Sequence, residues 1–202
     1  MATAKNEKWD LIDLRKHIIT FMTAGHETTA TALGWALYVL AIHQNYQTEL
    51  RETLTFDKPS WDEIQNNKFL EMVCNEVLRL YAPASAIVRK CTKSFTFKDM
   101  SFPSGTYFNI PLQDLQLNEA FKEPWVFNPK REKVNDLYMP FWTGNRGCIG
   151  KQLAIVEFKT ILAILIKEFK FTIDEDERDV KRVSRITQRP DKMNLNIQKI
   201  KQ

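Results

Sequence analysis

Glycine is scarce in this chain of 202 residues: there are six, alongside eight prolines and three cysteines. Collagen-like and low-complexity chains need far more glycine and proline, so both classes are excluded. The cysteines, Cys74, Cys91 and Cys148, are odd in number and form no CxxC pair, which argues against a secreted disulfide framework and for a reducing, cytosol-facing environment. An excess of one charge is also missing, because 29 Lys and Arg stand against 25 Asp and Glu, a formal +4 with acids spread among bases. Nucleic-acid binding needs a concentrated basic face, so no nucleic-acid partner is expected. Long hydrophobic runs are absent as well. The apolar part from Ala30 to Ile42 is too short to cross a bilayer and reads as a buried helix. The first residues carry no apolar core with a cleavage pattern, so no signal peptide is visible. What is present, 44% hydrophobic and 27% charged residues, fits one ordinary globular domain or part of one.

Helical spacing dominates the first segment. Leu11, Leu14, Ile18, Phe21 and Met22 form one stripe, continued by Leu33, Leu37, Leu40 and Ala41, which predicts a single long helix from Asp10 to Ala41. Its middle, Thr23-Ala24-Gly25-His26-Glu27-Thr28-Thr29, has poor helix propensity for a buried helix. Further helices are expected at Glu49 to Leu54, after a break at Pro59 from a Ser60 N-cap with Glu63 at capping-box distance, and from Phe69 to Leu80. Phe95 to Phe97 and Tyr107 to Ile110 read as strands joined in a hairpin, with Phe102-Pro103-Ser104-Gly105 as a type I turn. Asn118 to Pro140 reads as an extended, packed loop. An apolar helix follows from Lys151 to Phe169, and Met193, Leu195 and Ile197 alternate as in a strand. The fold class is therefore mainly α with small β-sheets, in one domain.

Half of the glycines, Gly144, Gly147 and Gly150, crowd around Cys148, which implies a tight backbone path approached closely by something else. Cys148 stands just before a helix, where free N–H groups and the dipole favour a thiolate, and Arg146 adds positive charge. The local chemistry leaves two readings: a structural cysteine in a glycine turn, or a thiolate used as nucleophile or metal ligand. A nucleophile would want a histidine base, but His17, His26 and His43 sit in no Cys/His signature, and the short-spaced ligands of a zinc site are missing. A single thiolate ligand suits a cofactor that brings its other ligands along, as haem iron does. Glu76 and Arg79, at i and i+3, read in isolation as an ordinary helix pair, and Thr28 and Thr29 as threonines bonded back to the preceding turn.

Taken in order, these segments resemble the C-terminal half of a cytochrome P450, the haem-thiolate monooxygenase family. Ala24-Gly25-His26-Glu27-Thr28-Thr29 is similar to the family's oxygen-binding motif [A/G]-G-x-[D/E]-T-T, and Glu76-Val77-Leu78-Arg79 to its E-x-x-R. Phe127-Asn128-Pro129-Lys130-Arg131 resembles F-x-P-x-R, and Phe141 to Gly150 fits the ligand loop F-x-x-G-x-R-x-C-x-G at every fixed position. The style of these motifs resembles eukaryotic microsomal members, of fungal type.

The resemblance implies roles residue by residue. The cofactor is haem b, iron protoporphyrin IX, with Cys148 as its iron ligand and Gly25, Arg89, Phe141, Arg146 and Gly150 as further cofactor-binding residues. Glu27 and Thr28 are the implied catalytic pair on the oxygen side, relaying protons. Arg89 and Arg146 match positions that pair with haem propionates. Glu76, Arg79 and Arg131 match a buried ion network that holds the ligand loop. Implied partners are dioxygen, a small organic substrate, lipophilic or aromatic, and an NADPH-dependent flavoprotein reductase; Lys130, Lys133, Arg146 and Lys151, which cluster in sequence near the ligand loop, are expected to help dock an acidic redox partner. The implied location of the whole family member is the cytosolic face of the endoplasmic reticulum membrane.

Some positions depart from the family pattern. Arg131 is followed by Glu132 where an aromatic residue is usual, a His-containing stretch is replaced by Leu117 to Phe121, and the loop from Arg131 to Pro140 is short. Members of the family are more than twice this length. The expectation is thus that residues 1–202 form the haem-binding C-terminal portion, without the N-terminal half and membrane anchor, and that the apolar faces of Leu33 to Ile42 and Leu153 to Phe169 are exposed. The alternative function is a non-catalytic fragment or haem-binding module.

Overall fold

The computed structural model describes residues 10–54, 60–132 and 136–200. Helix α1, Leu11–Ile42, runs the expected length, and its N-cap Asp10 accepts the Asp13 N–H at 2.7 Å. It stops at His43, and α2, Gln44–Glu52, begins at once, five residues earlier than expected. Periodicity hides this start because α2 buries a glutamine. Gln47 and Leu50 are its buried residues, and Gln47 Nε2 donates to Leu40 O and to Phe171 O, each at 2.8 Å. Gln44 Nε2 likewise donates to Ala41 O at 2.8 Å, so polar side chains satisfy the open carbonyls at the end of α1.

The helix α3, Trp61–Asn66, starts with the expected capping box at Ser60 and Glu63, while Pro59 lies outside the described residues. Helix α4, Lys68–Leu80, follows from N-cap Asn67. Strands β1 (Ile87–Lys90), β2 (Phe95–Phe97), β3 (Met100–Phe102) and β4 (Tyr107–Ile110) then pair differently from the expected hairpin. β2 pairs with β3 through a turn at Lys98, whose φ is 50°, and β4 returns to pair with β1 in the register Ile87 to Ile110. The turn at the prolyl segment is shifted by one residue. Thr106 N–H bonds Pro103 O at 3.2 Å, which puts Gly105, with φ +94°, third in the turn, as type II geometry requires.

Helix α5, Leu112–Gln116, is hidden in the sequence for the same reason as the start of α2. Its buried Gln113 and Gln116 donate to Leu80 O at 2.9 Å and Leu78 O at 3.1 Å, closing the end of α4. Helix α6, Lys151–Glu168, runs into β5, Phe169–Thr172. β5 pairs with β8, Asn196–Lys199, so the expected strand holds only Ile197 of its three alternating residues; Met193 and Leu195 pack against the core outside it. β6, Arg182–Ser184, pairs with β7, Gln188–Pro190.

The core gathers on the second half of α1, which packs on α4, α6, β5 and β7. Trp35 is fully buried, stacks on Tyr81 at 4.3 Å between centroids, and donates from its indole N–H to Gln188 O at 2.8 Å. The expectation of an exposed Leu33 to Ile42 face is therefore corrected. That stretch is buried or half-buried, and the exposed apolar residues lie on the first half, with Leu11 at 84% and Met22 at 69%. On α6 the expectation holds in part: Leu153, Ile161 and Ile164 are exposed, whereas Leu162, Ala163 and Ile166 are fully buried.

Glu76 and Arg79 are not a surface pair. Both are buried, and the guanidinium clasps the carboxylate in two bonds of 2.8 Å. Arg131 reaches the same oxygen, Glu76 Oε1, at 3.2 Å, so one carboxylate serves two cations. Backbone carbonyls meet the surplus charge. Arg79 donates to Gln116 O at 2.9 Å and Pro124 O at 2.7 Å, and Arg131 to Lys122 O, Glu123 O and Val126 O. The network clamps the packed loop of residues 117–131 onto α4.

Glu76→Gln keeps the shape but leaves two buried guanidiniums without a carboxylate, and should lower unfolding free energy by about 3–5 kcal/mol in urea denaturation. A loss under about 1 kcal/mol would show that the carbonyls alone balance the charge. His43, between α1 and α2 against Phe127 and Tyr46, has its pKa lowered from 6.5 by burial. Below pH 6.5 the unfolded chain takes up a proton that the folded chain refuses. Its contribution to stability is therefore complete above that pH and is lost as pH falls through the folded value. Stability measured from pH 7.5 to 5 should fall less steeply in His43→Gln than in the parent chain.

Candidate functional site

Between the middle of α1, the end of α4 and the loop before α6 lies a cleft of about 470 Å³. Its floor is apolar, with Ala32 from α1, Leu78 from α4, and Leu153 and Phe158 from α6. Gly25, Thr28, Arg89, Phe141, Arg146, Cys148 and Gly150 all line it, so residues far apart in sequence meet here.

The cysteine loop is built by short backbone bonds. Cys148 N–H bonds Phe141 O at 2.9 Å, and Gly147 N–H bonds Gly144 O at 2.9 Å across the short 3₁₀ turn Gly144–Arg146. Gly144 has φ +73°, and a Cβ on Gly147 would stand 3.2 Å from Gly144 O, so each glycine is needed for a different reason. The loop leaves Cys148 exposed. Cys74, by contrast, is buried and its thiol pKa is pushed up by desolvation, which keeps it protonated. Cys91 donates its S–H to Lys93 O away from the cleft. Among the described residues no three His, Cys, Asp or Glu side chains converge as a metal cage, so Cys148 stands as a single donor.

Arg89 and Arg146 both border the cleft, and among the described residues neither forms an ion pair. Arg89 bonds Val88 O at 3.0 Å and Arg146 O at 3.4 Å, and its guanidinium lies 5.5 Å from the centre of the Trp142 ring. Gly25 opens the opposite wall: a Cβ there would meet nothing within 4 Å, so its absence leaves free room. Thr28 Oγ1 donates to Ala24 O at 2.9 Å, the bond back to the preceding turn foreseen for a helical threonine. Buried Thr29 also borders the cleft, with its Oγ1 unpaired among the described residues.

Glu27 is not brought into this cleft. It lines a second, shallower one of about 430 Å³ with Ile19, Thr20, Thr23 and Ile186, and Thr28 borders both. Two lining residues, Trp142 and Glu157, carry no sequence signal of their own, and Thr29 reads from the sequence only as part of the helical motif. Trp142 carries a φ of +59°, which its residue type does not announce, and Glu157 lies on the apolar helix α6. The expected docking cluster lies only partly within the described residues. Lys130 pairs with Glu49 at 2.6 Å, Arg146 lines the cleft, the Lys151 ammonium lies 6.0 Å from the Phe141 ring centre, and Lys133 lies outside the described residues.

A family profile described as Cytochrome P450 matches residues 1–197. The chain belongs to the cytochrome P450 family. It is 37% identical to mouse Cytochrome P450 4A10 over 80% of this chain and 34% of that protein. It is 32% identical to pig Taurochenodeoxycholic 6 alpha-hydroxylase over 93% of this chain and 40% of that protein. Human Cytochrome P450 4B1 is 32% identical over 84% of this chain and 36% of its own length. The chain thus spans between a third and two fifths of the length of these curated relatives. The eukaryotic microsomal type fits these relatives, all of which are mammalian. Cytochromes P450 are a family of haem-dependent monooxygenases, and the donor set here fits that cofactor: one exposed thiol, two guanidiniums without ion-pair partners among the described residues and an apolar floor facing an open glycine wall.

Gly144 tests the loop. Because a Cβ there meets no neighbour, Gly144→Ala should cost only the left-handed backbone penalty, about 1–2 kcal/mol in urea denaturation. Gly144→Asn should recover part of it. Equal loss in both variants would point to a steric cause instead.

Proposed function

We propose that this chain is the haem-binding, C-terminal portion of a haem-thiolate monooxygenase that hydroxylates a small lipophilic or aromatic substrate. One observation carries the reading: Gly25 and Thr28 of the first motif, Arg89, and Phe141, Arg146 and Gly150 of the last motif line a single cleft with the exposed thiol of Cys148. Cys148 would be the protein's ligand to iron, with the N-terminus of α6 close behind it. Arg89 and Arg146 would hold the haem b propionates, since their guanidiniums face the cleft without a carboxylate partner among the described residues. Phe141 and Gly150 would pack beside the ligand, and Gly25 would keep the far wall thin. When bound, haem supplies the iron at which dioxygen takes up two electrons and two protons, so that one oxygen atom enters the substrate and the other leaves as water.

The chain's own residues would serve the proton side. Thr28 offers lone pairs to the cleft because its hydrogen is committed to Ala24 O, so donating into the cleft requires that bond to open. Glu27, one residue earlier and at the neighbouring cleft, would supply the proton that Thr28 accepts and passes on. The electrons would come from an NADPH-dependent flavoprotein reductase at the cytosolic face of the endoplasmic reticulum. No helix among the described residues is long and apolar enough to cross a membrane. The hydroxylase name of the pig relative supports a hydroxylation as the reaction type. A second reading, a haem-binding module without turnover, draws support from the exposed apolar first half of α1 beside the cleft.

The reduced carbon monoxide spectrum of the haem-loaded chain should show the strongly red-shifted Soret band of thiolate ligation, and Cys148→Ser should abolish it. An unshifted parent spectrum, or a band that survives in Cys148→Ser, would remove the thiolate assignment. With the band present, reductase-driven oxidation of a lipophilic substrate separates the two readings, because only the monooxygenase yields a hydroxylated product.

A further inference from the structure

Thr187 is a buried hydroxyl, 2% exposed, at the edge of β7, and it sits against α1 far from it in sequence. Its Oγ1 donates to Glu27 Oε1 at 2.9 Å and lies 3.2 Å from Thr31 Oγ1. A hydroxyl has one hydrogen. Since Thr187 spends it on the carboxylate, Thr31 must donate to Thr187, and the order of the chain is Thr31 to Thr187 to Glu27. Thr31 is itself buried, so this chain of donors ends on the half-exposed acid from the protein side.

The donor is fixed. The next residue, Gln188, is held on both sides of its peptide: its N–H bonds Pro83 O at 2.9 Å and its carbonyl accepts the Trp35 indole N–H at 2.8 Å. Trp35 belongs to the fully buried core, and Pro83 lines the main cleft. On the other side, Thr187 O accepts the Arg185 N–H at 3.0 Å, closing the turn whose tip is the exposed Ile186. The hydroxyl therefore presents itself to Glu27 from a strand anchored in the core. A freely rotating Glu27, by contrast, would have only solvent to choose its rotamer.

We propose that Thr187 is the positioning residue for Glu27, its hydroxyl holding the carboxylate at the second cleft beside Thr28. The inference rests on the proton-supplying role given to Glu27 above and adds the group that decides where this acid waits. It accounts for a threonine buried at a turn end whose neighbours are polar or exposed, where a plain packing residue would serve the fold alone.

The experiment is carbodiimide coupling of an amine to carboxylates of the full chain, read by mass spectrometry of the peptide that carries Glu27, with Glu27→Gln as the blank. Thr187→Val removes the hydroxyl at nearly constant volume and should raise coupling at Glu27 several-fold, up to about ten-fold, as a charge-assisted bond is lost. Thr187→Ser keeps the donor and should restore the parent yield. Hydrogen exchange of the β6 and β7 amides should stay at the parent rate in both variants. Equal coupling in Thr187→Val and the parent chain, failure of serine to restore it, or faster β6 and β7 exchange matching the rise in coupling would overturn the proposal. Coupling is measured without haem, so a failed thiolate assignment shows in the carbon monoxide spectrum and not here.

Discussion

A single carboxylate shared by two buried guanidiniums is the constraint on which much of the architecture rests. Glu76 sits on α4, and its two cations, Arg79 and Arg131, spend their remaining N–H groups on carbonyls of residues 116–126. A loop with this much proline and so little periodicity has no regular ladder of its own to satisfy those carbonyls. Ionic donors do it instead, and at low dielectric each such bond is stronger than its neutral counterpart. Desolvating three charges is expensive, and hydrophobic residues of equal volume would fill the space at lower cost. What they would not do is fix a coil in one path, with Phe121 beneath the Arg79 guanidinium at 5.4 Å and Phe127 in the core.

The same substitution of side chain for backbone partner explains where sequence patterning succeeded and where it failed. α1, α4 and α6 have apolar periodicity, α1 and α4 also side-chain N-caps at Asp10 and Asn67, and the ends of all three fall within a residue or two of the pattern. α2 and α5 bury Gln47, Gln113 and Gln116, whose amides close the open carbonyls of neighbouring helices. A buried glutamine looks like a surface residue to any hydropathy rule, so both helices were blurred or missed. Strand pairing failed for another reason. Phe95 to Phe97 and Tyr107 to Ile110 are β-prone by composition, but nothing local states that the first turns back on Met100 while the second reaches β1.

The lining of the main cleft is legible in the sequence where its residue types are poor choices for simple packing. Glycines at positive φ or in close contact, a cysteine before a helix and a carboxylate within a poor helix former are each unusual choices, and unusual choices survive in a sequence as motifs. The residues that stay hidden, Trp142 and Glu157, are of types that also serve ordinary packing or solvation. Their placement comes only from the way the loop and the two long helices meet.

Gly25 to Thr29 occupies the place where α1 changes surroundings. Before it, Leu11 to Met22 present apolar side chains outward; after it, Ala32 to Ala41 are locked among α4, α6 and β7. A weak helical stretch is tolerated there because the buried half holds the helix by tertiary contact, and helix stability in proteins comes mainly from such contact. The break in propensity thus costs little where it falls, and the gain is local: a glycine wall open to the cleft and a threonine bordering both cavities. The acid beside them is fixed by a hydroxyl from the other end of the chain. Moving the same residues one turn later would set them where side chains of the packed core close the space. The position of the motif along the helix is therefore set by the edge of the core.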